Sequence, residues 1–241
     1  MQIKTQAIVL SAIKYQEKSL IVKCFTLSDG LKSYFIPSAF SSKKSNQKIA
    51  YFQPLNILEI EANHKNKGTL EHFKEVKLAY TYQNINTDIV KSSMVLFLSE
   101  VLHNSIFEEE KNEDLFAFIE TSLMWLDTHD TISNFHLIFL LQLTKFLGFY
   151  PQLQESDASY FEMIDGVFSP LQGTSCLNEH ETNLLKKALL LKFDNNHKIF
   201  NGVERQTLLN ILLDYYAIHL DGFRKPKSLE VLKEVFSNIA I

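Results

Sequence analysis

Glycine, proline and cysteine are scarce in this chain of 241 residues, which contains seven glycines, five prolines and two cysteines. So few glycines and prolines argue against long disordered tracts. The two cysteines, Cys24 and Cys176, are too few for a four-cysteine metal site or a disulfide framework. Together with the lack of a signal peptide, they lead us to expect a reducing cytoplasm. The longest apolar run, at 137–143, is too short to span a bilayer.

Motifs that organise catalysis are also missing. The sequence contains no glycine-rich phosphate loop, no HExxH zinc motif, no GxSxG nucleophile motif and no CxxC pair. His129 and His136 lie seven residues apart across a predicted helix start, so they do not share one helical face. Cys24 lies within a predicted strand beside Lys23, which favours an inert buried thiol over a nucleophile. The sequence therefore predicts a protein that is not an enzyme and that needs no cofactor.

Charge is distributed unevenly along the chain. Residues 1–82 contain 12 lysines and 6 acidic residues, a net charge of +6, whereas the remaining residues carry a net charge of −10. The two values sum to the −4 of the whole chain. A basic N-terminal third joined to an acidic remainder predicts two domains, residues 1–82 and 83–241, and a polyanion as the partner of the first.

The first domain has the pattern of a small β-barrel. Turn signals such as Ser28–Asp29–Gly30 separate short segments rich in β-branched and aromatic residues. Strands are predicted at 5–12, 20–26, 31–36, 51–62 and 69–82. Five short strands in about 80 residues suit a five-stranded OB-fold barrel, and an SH3-like barrel is the alternative that strand counting leaves open.

From about Asp88 onwards the apolar residues repeat with helical spacing. Helix starts are predicted at Asn112, Ser133 and Ser228, and the sequence Asn178 to Glu181 resembles a capping box. The predicted fold class is therefore α+β, with the N-terminal barrel followed by an all-α helical domain. Residues 154–175 fit neither pattern and are predicted to form an irregular or hairpin insert.

The lysines of the barrel favour a nucleic-acid-binding role. An OB barrel binds nucleic-acid strands in a basic groove that tracks phosphates, with aromatic rings that stack on bases. The predicted contact residues are Lys14, Lys18, Lys23, Lys32, Tyr34, Phe40, Lys43, Lys44 and Lys48. Because lysine lacks the bidentate fork of arginine, we expect contacts to phosphate that are independent of base sequence and sensitive to salt.

The aromatic residues near these lysines are harder to assign. Phe35 lies in a near-continuous apolar run and is predicted to pack in the core. For Tyr34 and Phe40 the sequence leaves core packing and base stacking equally open. The loop that carries Lys43 and Lys44 is predicted to connect the third strand, ended by Pro37, to a fourth strand that begins at Tyr51.

Three segments together resemble one protein family. Residues 5–39, "TQAIVLSAIKYQEKSLIVKCFTLSDGLKSYFIPSA", contain a first strand ending in IVL, a loop with Tyr15 and Glu17, and a turn with glycine. Residues 140–153, "LLQLTKFLGFYPQL", contain a Leu-Gly-x-x-Pro pattern. Residues 212–236, "LLDYYAIHLDGFRKPKSLEVLKEVF", contain a tyrosine and histidine helix followed by glycine and Lys-Ser. In this order the segments resemble the bacterial RecO family of DNA repair proteins.

The resemblance implies an OB-fold followed by helices, and a recombination mediator without catalytic turnover. It implies binding to single- and double-stranded DNA, annealing of complementary strands, and a cytoplasmic, nucleoid-associated location. It also implies three protein partners: RecR, the C-terminal tail of single-stranded-DNA-binding protein and, indirectly, RecA. Many members of the family hold zinc through four cysteines in the insert. Here the region that follows the Leu-Gly-x-x-Pro pattern holds only Cys176, so we predict no metal.

The acidic helical domain suits protein partners better than DNA. An acidic, apolar tail would need a hydrophobic groove with a cationic rim, and the predicted rim residues are Arg224, Lys225 and Lys227. Two readings from other classes stay open beside the mediator. One is an RNA-binding OB-fold protein, which would prefer structured RNA, and the other is a protein-interaction scaffold, which would bind no nucleic acid.

Overall fold

A computed structural model describes residues 2–40, 49–65, 69–107, 109–152, 158–194 and 199–238. The chain forms two compact units: residues 1–128 with 226–228, and residues 129–225 with 229–241. The strands are β1 (Gln2–Tyr15), β2 (Ser19–Thr26), β3 (Gly30–Ile36), β4 (Ile57–Asn63), β5 (His72–Leu78), β6 (Tyr160–Glu162) and β7 (Val167–Ser169). The helices are α1 (Ile89–Ser105), α2 (Glu113–Thr128), α3 (Phe135–Phe146), α4 (Glu179–Leu189), α5 (Gly202–His219) and α6 (Leu229–Asn238).

The first unit is built on a five-stranded sheet in the order β3-β2-β1-β4-β5, with every neighbouring pair antiparallel. The long strand β1 pairs with β4 through its first half and with β2 through its second half. A register shift between Val9 and Ser11 allows this change of partner, because a bulge bends its strand. The observed architecture, a five-stranded N-terminal sheet followed by helices, confirms the predicted fold class.

A parallel bridge between Tyr34 and Glu71 connects the two edge strands of the sheet. The amide of Phe35 donates to the carbonyl of Glu71 at 2.9 Å, and the amide of Glu71 donates to the carbonyl of Ser33 at 2.8 Å. Pairing of these two edge strands, β3 with β5, brings the sheet round into the partly open barrel of an OB-fold. Beyond this bridge β3 ends at Ile36, whereas β5 continues to Leu78.

The barrel core is filled by alternate residues of each strand, as the two-residue period of β-structure requires. In β2 the inward residues are Leu20, Val22 and Cys24, all of them buried, whereas Ile21 and Lys23 are half-buried. On the helical side of the first unit, α1 packs against β1. The core cluster inside the barrel also includes Ala7, Val9, Tyr34, Ala39, Phe52, Leu58, Ile60 and Ala62.

The loop after β3 differs from the sequence prediction. Residues Ala50–Phe52 form a short 3-10 turn, and β4 begins only at Ile57, so the predicted strand start at Tyr51 is wrong. The side-chain amide of Asn56 donates to the carbonyls of Ala50 and Tyr51, each at 3.1 Å. These bonds satisfy backbone groups of the turn that would otherwise pair in a strand.

A buried carboxylate holds the segment that follows the barrel. Asp127, at the end of α2, has no exposed surface and accepts backbone N–H bonds from Gln83, Asn84 and Ile85 at 2.9, 2.9 and 3.0 Å. The buried ammonium of Lys91 donates to the main-chain carbonyl of Asp127 at 3.0 Å. Burial alone would raise the pKa of Asp127, but the backbone donors outweigh it and lower that pKa.

The second unit consists of α3 to α6 and the β6–β7 hairpin. Capping boxes open α4 at Asn178 and α5 at Asn201, and the first of these confirms the sequence prediction. The hydroxyl of Tyr215 donates to the carbonyl of Phe149 at 2.9 Å, so a long buried side chain of α5 is hydrogen-bonded as well as packed. Phe161 of the hairpin packs against the same tyrosine with ring centroids 5.6 Å apart.

None of the helices within the described residues is long and apolar enough to cross a membrane.

Candidate nucleic-acid interface

An apolar stripe crosses the outer face of β1, β2 and β3. Ile13 lies opposite Ile21, and Ile21 lies opposite Phe35, so the strand register aligns the three side chains. Ile13 is 60% exposed, whereas the other two are half-buried. The ring of Phe35 meets those of Tyr15 and His72 edge-on, at centroid distances of 6.2 and 6.0 Å. The stripe therefore offers ring faces and edges to a ligand from outside the barrel.

Two exposed lysines lie at the end of the β1–β2 hairpin. Lys14 is near the end of β1, with its ammonium 5.5 Å from the ring centroid of Phe40. Lys18 lies in the turn, and its carbonyl accepts a bond from the amide of Phe40 at 3.3 Å. These contacts hold the hairpin end against the turn that follows β3. Phe40 is itself 38% exposed, so its ring is accessible to solvent.

Lys23 lies on the same strand face as Ile21, two residues away, and opposite Ser33 of β3. It is half-buried, and burial lowers its pKa. The pKa of the nearby His103 is lowered as well, by burial first and then by the charge of Lys23. Lys23 thus places a cation beside the apolar stripe, in a setting less hydrated than that of Lys14.

Two of the predicted contact residues lie elsewhere. Tyr34 is fully buried in the barrel, and its ring stacks on Phe73 with centroids 4.0 Å apart. It is therefore not available to stack on a base, and the prediction that Tyr34 contacts nucleic acid is wrong. Lys32 faces the same way as Tyr34, is only 7% exposed, and forms an ion pair with Glu109 at 3.4 Å. Its ammonium is not an open contact for phosphate in this structure.

The hydroxyl of Tyr34 belongs to a buried polar chain at one end of the barrel. It lies 2.7 Å from Nε2 of His64, whose Nδ1 lies 3.0 Å from a carboxylate oxygen of Asp29. Burial raises the pKa of Tyr34. Burial alone would also raise the pKa of Asp29, but hydrogen bonds from Ser28 and His64 outweigh this effect and lower that pKa. No sequence motif links these residues, because they meet only through the barrel topology.

The remaining predicted residues are placed as follows. The three lysines of the loop after β3 lie outside the described residues; they are Lys43, Lys44 and Lys48. Lys225 is exposed and forms an ion pair with Asp214 at 2.5 Å within the second unit, to which Arg224 also belongs. Lys227 belongs to the first unit, where its amide donates to the carboxylate of Glu100 at 2.5 Å. The rim formed by the three cations thus stays a prediction.

Cysteine and metal chemistry find little support in the part of the chain that the structure describes. There, no group of three or more His, Cys, Asp or Glu side chains is arranged to hold a metal ion. Cys24 is fully buried, and burial raises the pKa of its thiol. Cys176 is half-buried, with its sulfur accepting a bond from the amide of Gly173 at 3.1 Å. The prediction of no zinc stays a prediction.

The geometry is that of an OB-type barrel with exposed lysines, followed by helices, and comparison with known families decides its identity. Residues 1–82 match the family described as "Recombination protein O N terminal", and residues 86–230 match "Recombination protein O C terminal". The chain belongs to the RecO family. The family resemblance predicted from three sequence segments is therefore confirmed.

Full-length relatives agree with the family match. The DNA repair protein RecO of Flavobacterium johnsoniae is 68% identical over 237 residues, which cover 98% of this chain and 100% of that protein. The DNA repair protein RecO of Christiangramia forsetii is 46% identical over 238 residues, with 98% and 100% covered. That of Bacteroides fragilis is 38% identical over 239 residues, with 97% and 98% covered. The chain is thus a DNA repair protein of the RecO family.

The family match and the compact units divide the chain differently. The two matched regions meet between residues 82 and 86, whereas the first compact unit extends to Thr128. The difference arises because α1 and α2 pack with the barrel, as the tilted rings of Phe25 and Phe116, 6.1 Å apart, illustrate. A division at residues 82 and 83 therefore stays a prediction.

Proposed function

We propose that this RecO-family protein is a recombination mediator that binds single- and double-stranded DNA through its barrel and anneals complementary strands without catalytic turnover. The observation that supports this most is the outer face of β1–β3. Lys23 lies on that face beside the apolar stripe, and Lys14 and Lys18 lie at the end of the adjoining β1–β2 hairpin, with Lys14 on the side of β1 that faces Leu20. Cations for phosphates beside rings for bases are the two components of single-strand binding by OB-folds.

The choice of lysine fits annealing in particular. Phosphate contacts position a strand but carry no sequence information, and base-edge contacts would occupy the groups that must pair. The chain's two arginines, Arg205 and Arg224, both lie outside residues 1–82. Binding through lysine therefore holds the backbone and leaves Watson–Crick edges free. It also ties affinity to the release of counterions, so affinity should fall steeply as salt rises.

The proposed protein partners are RecR and the C-terminal tail of single-stranded-DNA-binding protein, and RecA would act downstream on the exposed strand. In this proposal the protein works in the cytoplasm at the nucleoid. Arg224, Lys225 and Lys227 remain the proposed rim for the acidic tail. If replacing all three by glutamine leaves the affinity for a tail peptide unchanged, this rim is wrong.

The first experiment measures binding across a salt series. Gel shifts of single-stranded DNA, duplex DNA and structured RNA should show DNA binding at low salt with no base-sequence preference. Replacing Lys14 and Lys18 by glutamine should reduce the slope of log affinity against log salt by about 0.7 for each lysine on single strands. A matched control replaces two exposed lysines of the second unit, Lys187 and Lys192, and should leave the slope unchanged.

Three results would overturn the proposal. Preference for structured RNA would favour an RNA-binding protein, and no binding at low salt would favour a protein scaffold. An affinity that does not change between low and moderate salt would contradict phosphate binding.

The second experiment measures annealing of complementary strands that are coated with single-stranded-DNA-binding protein. Acceleration of that reaction is the expected result.

A further inference from the structure

A cavity of about 340 Å³ opens on the barrel where β3 and β5 separate. The two strands are joined at the Tyr34–Glu71 bridge, and past it β3 has no further bridge to β5. The 3-10 turn at Ala50–Phe52 forms the opposite wall, and Asn56 fixes that turn through two bonds to its carbonyls. The cavity is thus a product of the barrel topology, and its walls are held by hydrogen bonds.

Aromatic and other apolar groups dominate the lining of this cavity, which includes Phe35, Pro37, Tyr51, Phe52, His72 and Phe73. Phe73 lies between two nearly parallel rings, with Tyr34 4.0 Å and Phe52 5.6 Å away and interplanar angles of 15° and 16°. Such a stack cannot rotate freely, because each ring is limited by the next. The rings of Tyr51 and Phe35 are half-buried, so part of each remains accessible from the cavity side.

Two charged side chains line the cavity, Lys74 and Glu75. Lys74 lines the cavity and is exposed, with its ammonium donating to the side chain of Gln2. Glu75 also lines it, but its carboxylate is neutralised by Lys77 at 2.8 Å. The edge-on contact of Tyr15 with Phe35 places the cavity next to the apolar stripe and the hairpin lysines. A polyanion bound by those lysines would therefore pass the mouth of the cavity.

We propose that this cavity is a nucleobase subsite that accepts one unpaired base of single-stranded DNA. The inference rests on the proposed DNA binding and extends it. Pockets that bind small ligands begin at about 300 Å³ and are mostly apolar and aromatic, as this one is. A base can enter only if it is unstacked from its neighbours, which costs less in a single strand than in a duplex. The subsite would therefore favour single strands, whereas phosphate contacts serve both forms.

The test uses Tyr51, because its ring can be removed or kept by single substitutions. Tyr51→Leu removes the ring and keeps an apolar side chain, and Tyr51→Phe keeps the ring as the matched control. Each full-length variant is titrated with a thymine oligonucleotide and with an abasic oligonucleotide of the same length. Stacking of one base on a protein ring corresponds to a roughly 5- to 150-fold gain in affinity.

The wild type and Tyr51→Phe should prefer the thymine oligonucleotide by a factor in that range. Tyr51→Leu should lose most of the preference while its affinity for the abasic strand stays the same. His72→Ala, a change of an exposed residue on the other wall, should reduce the preference in the same direction and serves if Tyr51→Leu fails to fold. Thermal unfolding of each variant verifies the fold.

The outcomes separate the subsite from the proposed function. If the wild type binds both oligonucleotides equally, or if Tyr51→Leu and His72→Ala both keep its preference, the subsite is wrong and phosphate binding stands. If Tyr51→Leu loses affinity for both strands by the same factor, the residue supports the fold only, and the subsite is again wrong. If the wild type binds neither strand at low salt, the proposed DNA binding fails and the subsite fails with it.

Discussion

Replacement of Asp127 by asparagine tests how much the hydrogen bonds between α2 and residues 83–85, which follow the barrel, stabilise the first unit. The carboxylate accepts three backbone N–H bonds at 2.9 to 3.0 Å, all from residues 83–85. Asparagine has the same shape but only one acceptor oxygen, and its NH₂ group would face an N–H donor. The substitution therefore removes the charge from all three bonds and leaves at least one donor without an acceptor.

The expected cost follows from the number of bonds affected. A hydrogen bond to a charged group contributes about 1.5–3 kcal/mol, and a buried donor left unsatisfied costs about 1–3 kcal/mol. Since neighbouring bonds are not additive, we expect Asp127→Asn to lower the free energy of unfolding of the first unit by about 2–4 kcal/mol. For a protein of this size that corresponds to a fall in Tm of roughly 4–16 °C.

Urea unfolding at pH 7 and at steps down to pH 3 measures this effect. Because the folded-state pKa of Asp127 is lowered, its stabilisation is fully present above the ordinary pKa of aspartate, about 3.9, and is lost as pH falls through the folded-state pKa. The difference in free energy of unfolding between the wild type and Asp127→Asn should therefore decrease as the pH approaches 3. The matched control Asp130→Asn, at an exposed position, should change stability by less than about 0.5 kcal/mol. If Asp127→Asn lowers the free energy of unfolding by less than about 0.5 kcal/mol, or by an amount that does not change with pH, the reasoning is refuted.

Three further predictions concern the barrel and the thiols. Lys43→Glu with Lys44→Glu should weaken DNA binding about equally for all sequences, measured by gel shift, and leave the circular dichroism spectrum unchanged. Tyr34→Phe removes one buried hydrogen bond, so it should lower unfolding free energy by about 1 kcal/mol in a urea titration without changing DNA affinity. A thiol reagent should modify Cys176 in the native protein and Cys24 only after denaturation, because Cys24 has no exposed surface.

Much of the architecture is readable from the sequence because it depends on local signals. The strands β1 to β3 have β-branched runs separated by glycine or polar turns. The capping box at Asn178 predicts the start of α4. The predicted start of β4 is wrong because the reason for the 3-10 turn is a tertiary contact: Asn56 reaches back to two carbonyls of residues 50 and 51. The buried roles of Asp127 and His64 depend likewise on partners at least 30 residues away.

The positions of Tyr34 and Phe35 show why a candidate site is harder to predict than a strand. In "LKSYFI" both faces of β3 carry apolar residues, so alternation alone does not decide which face is the core. The sequence prediction left core packing and base stacking equally open for Tyr34 and included it, with Lys32, among the contact residues. The pairing of Tyr34 with Val22 and of Lys32 with Cys24 reverses this assignment, because both partners are buried. Phe35 is consequently on the outer face and lines the proposed base subsite, whereas the near-continuous apolar run around it had predicted core packing.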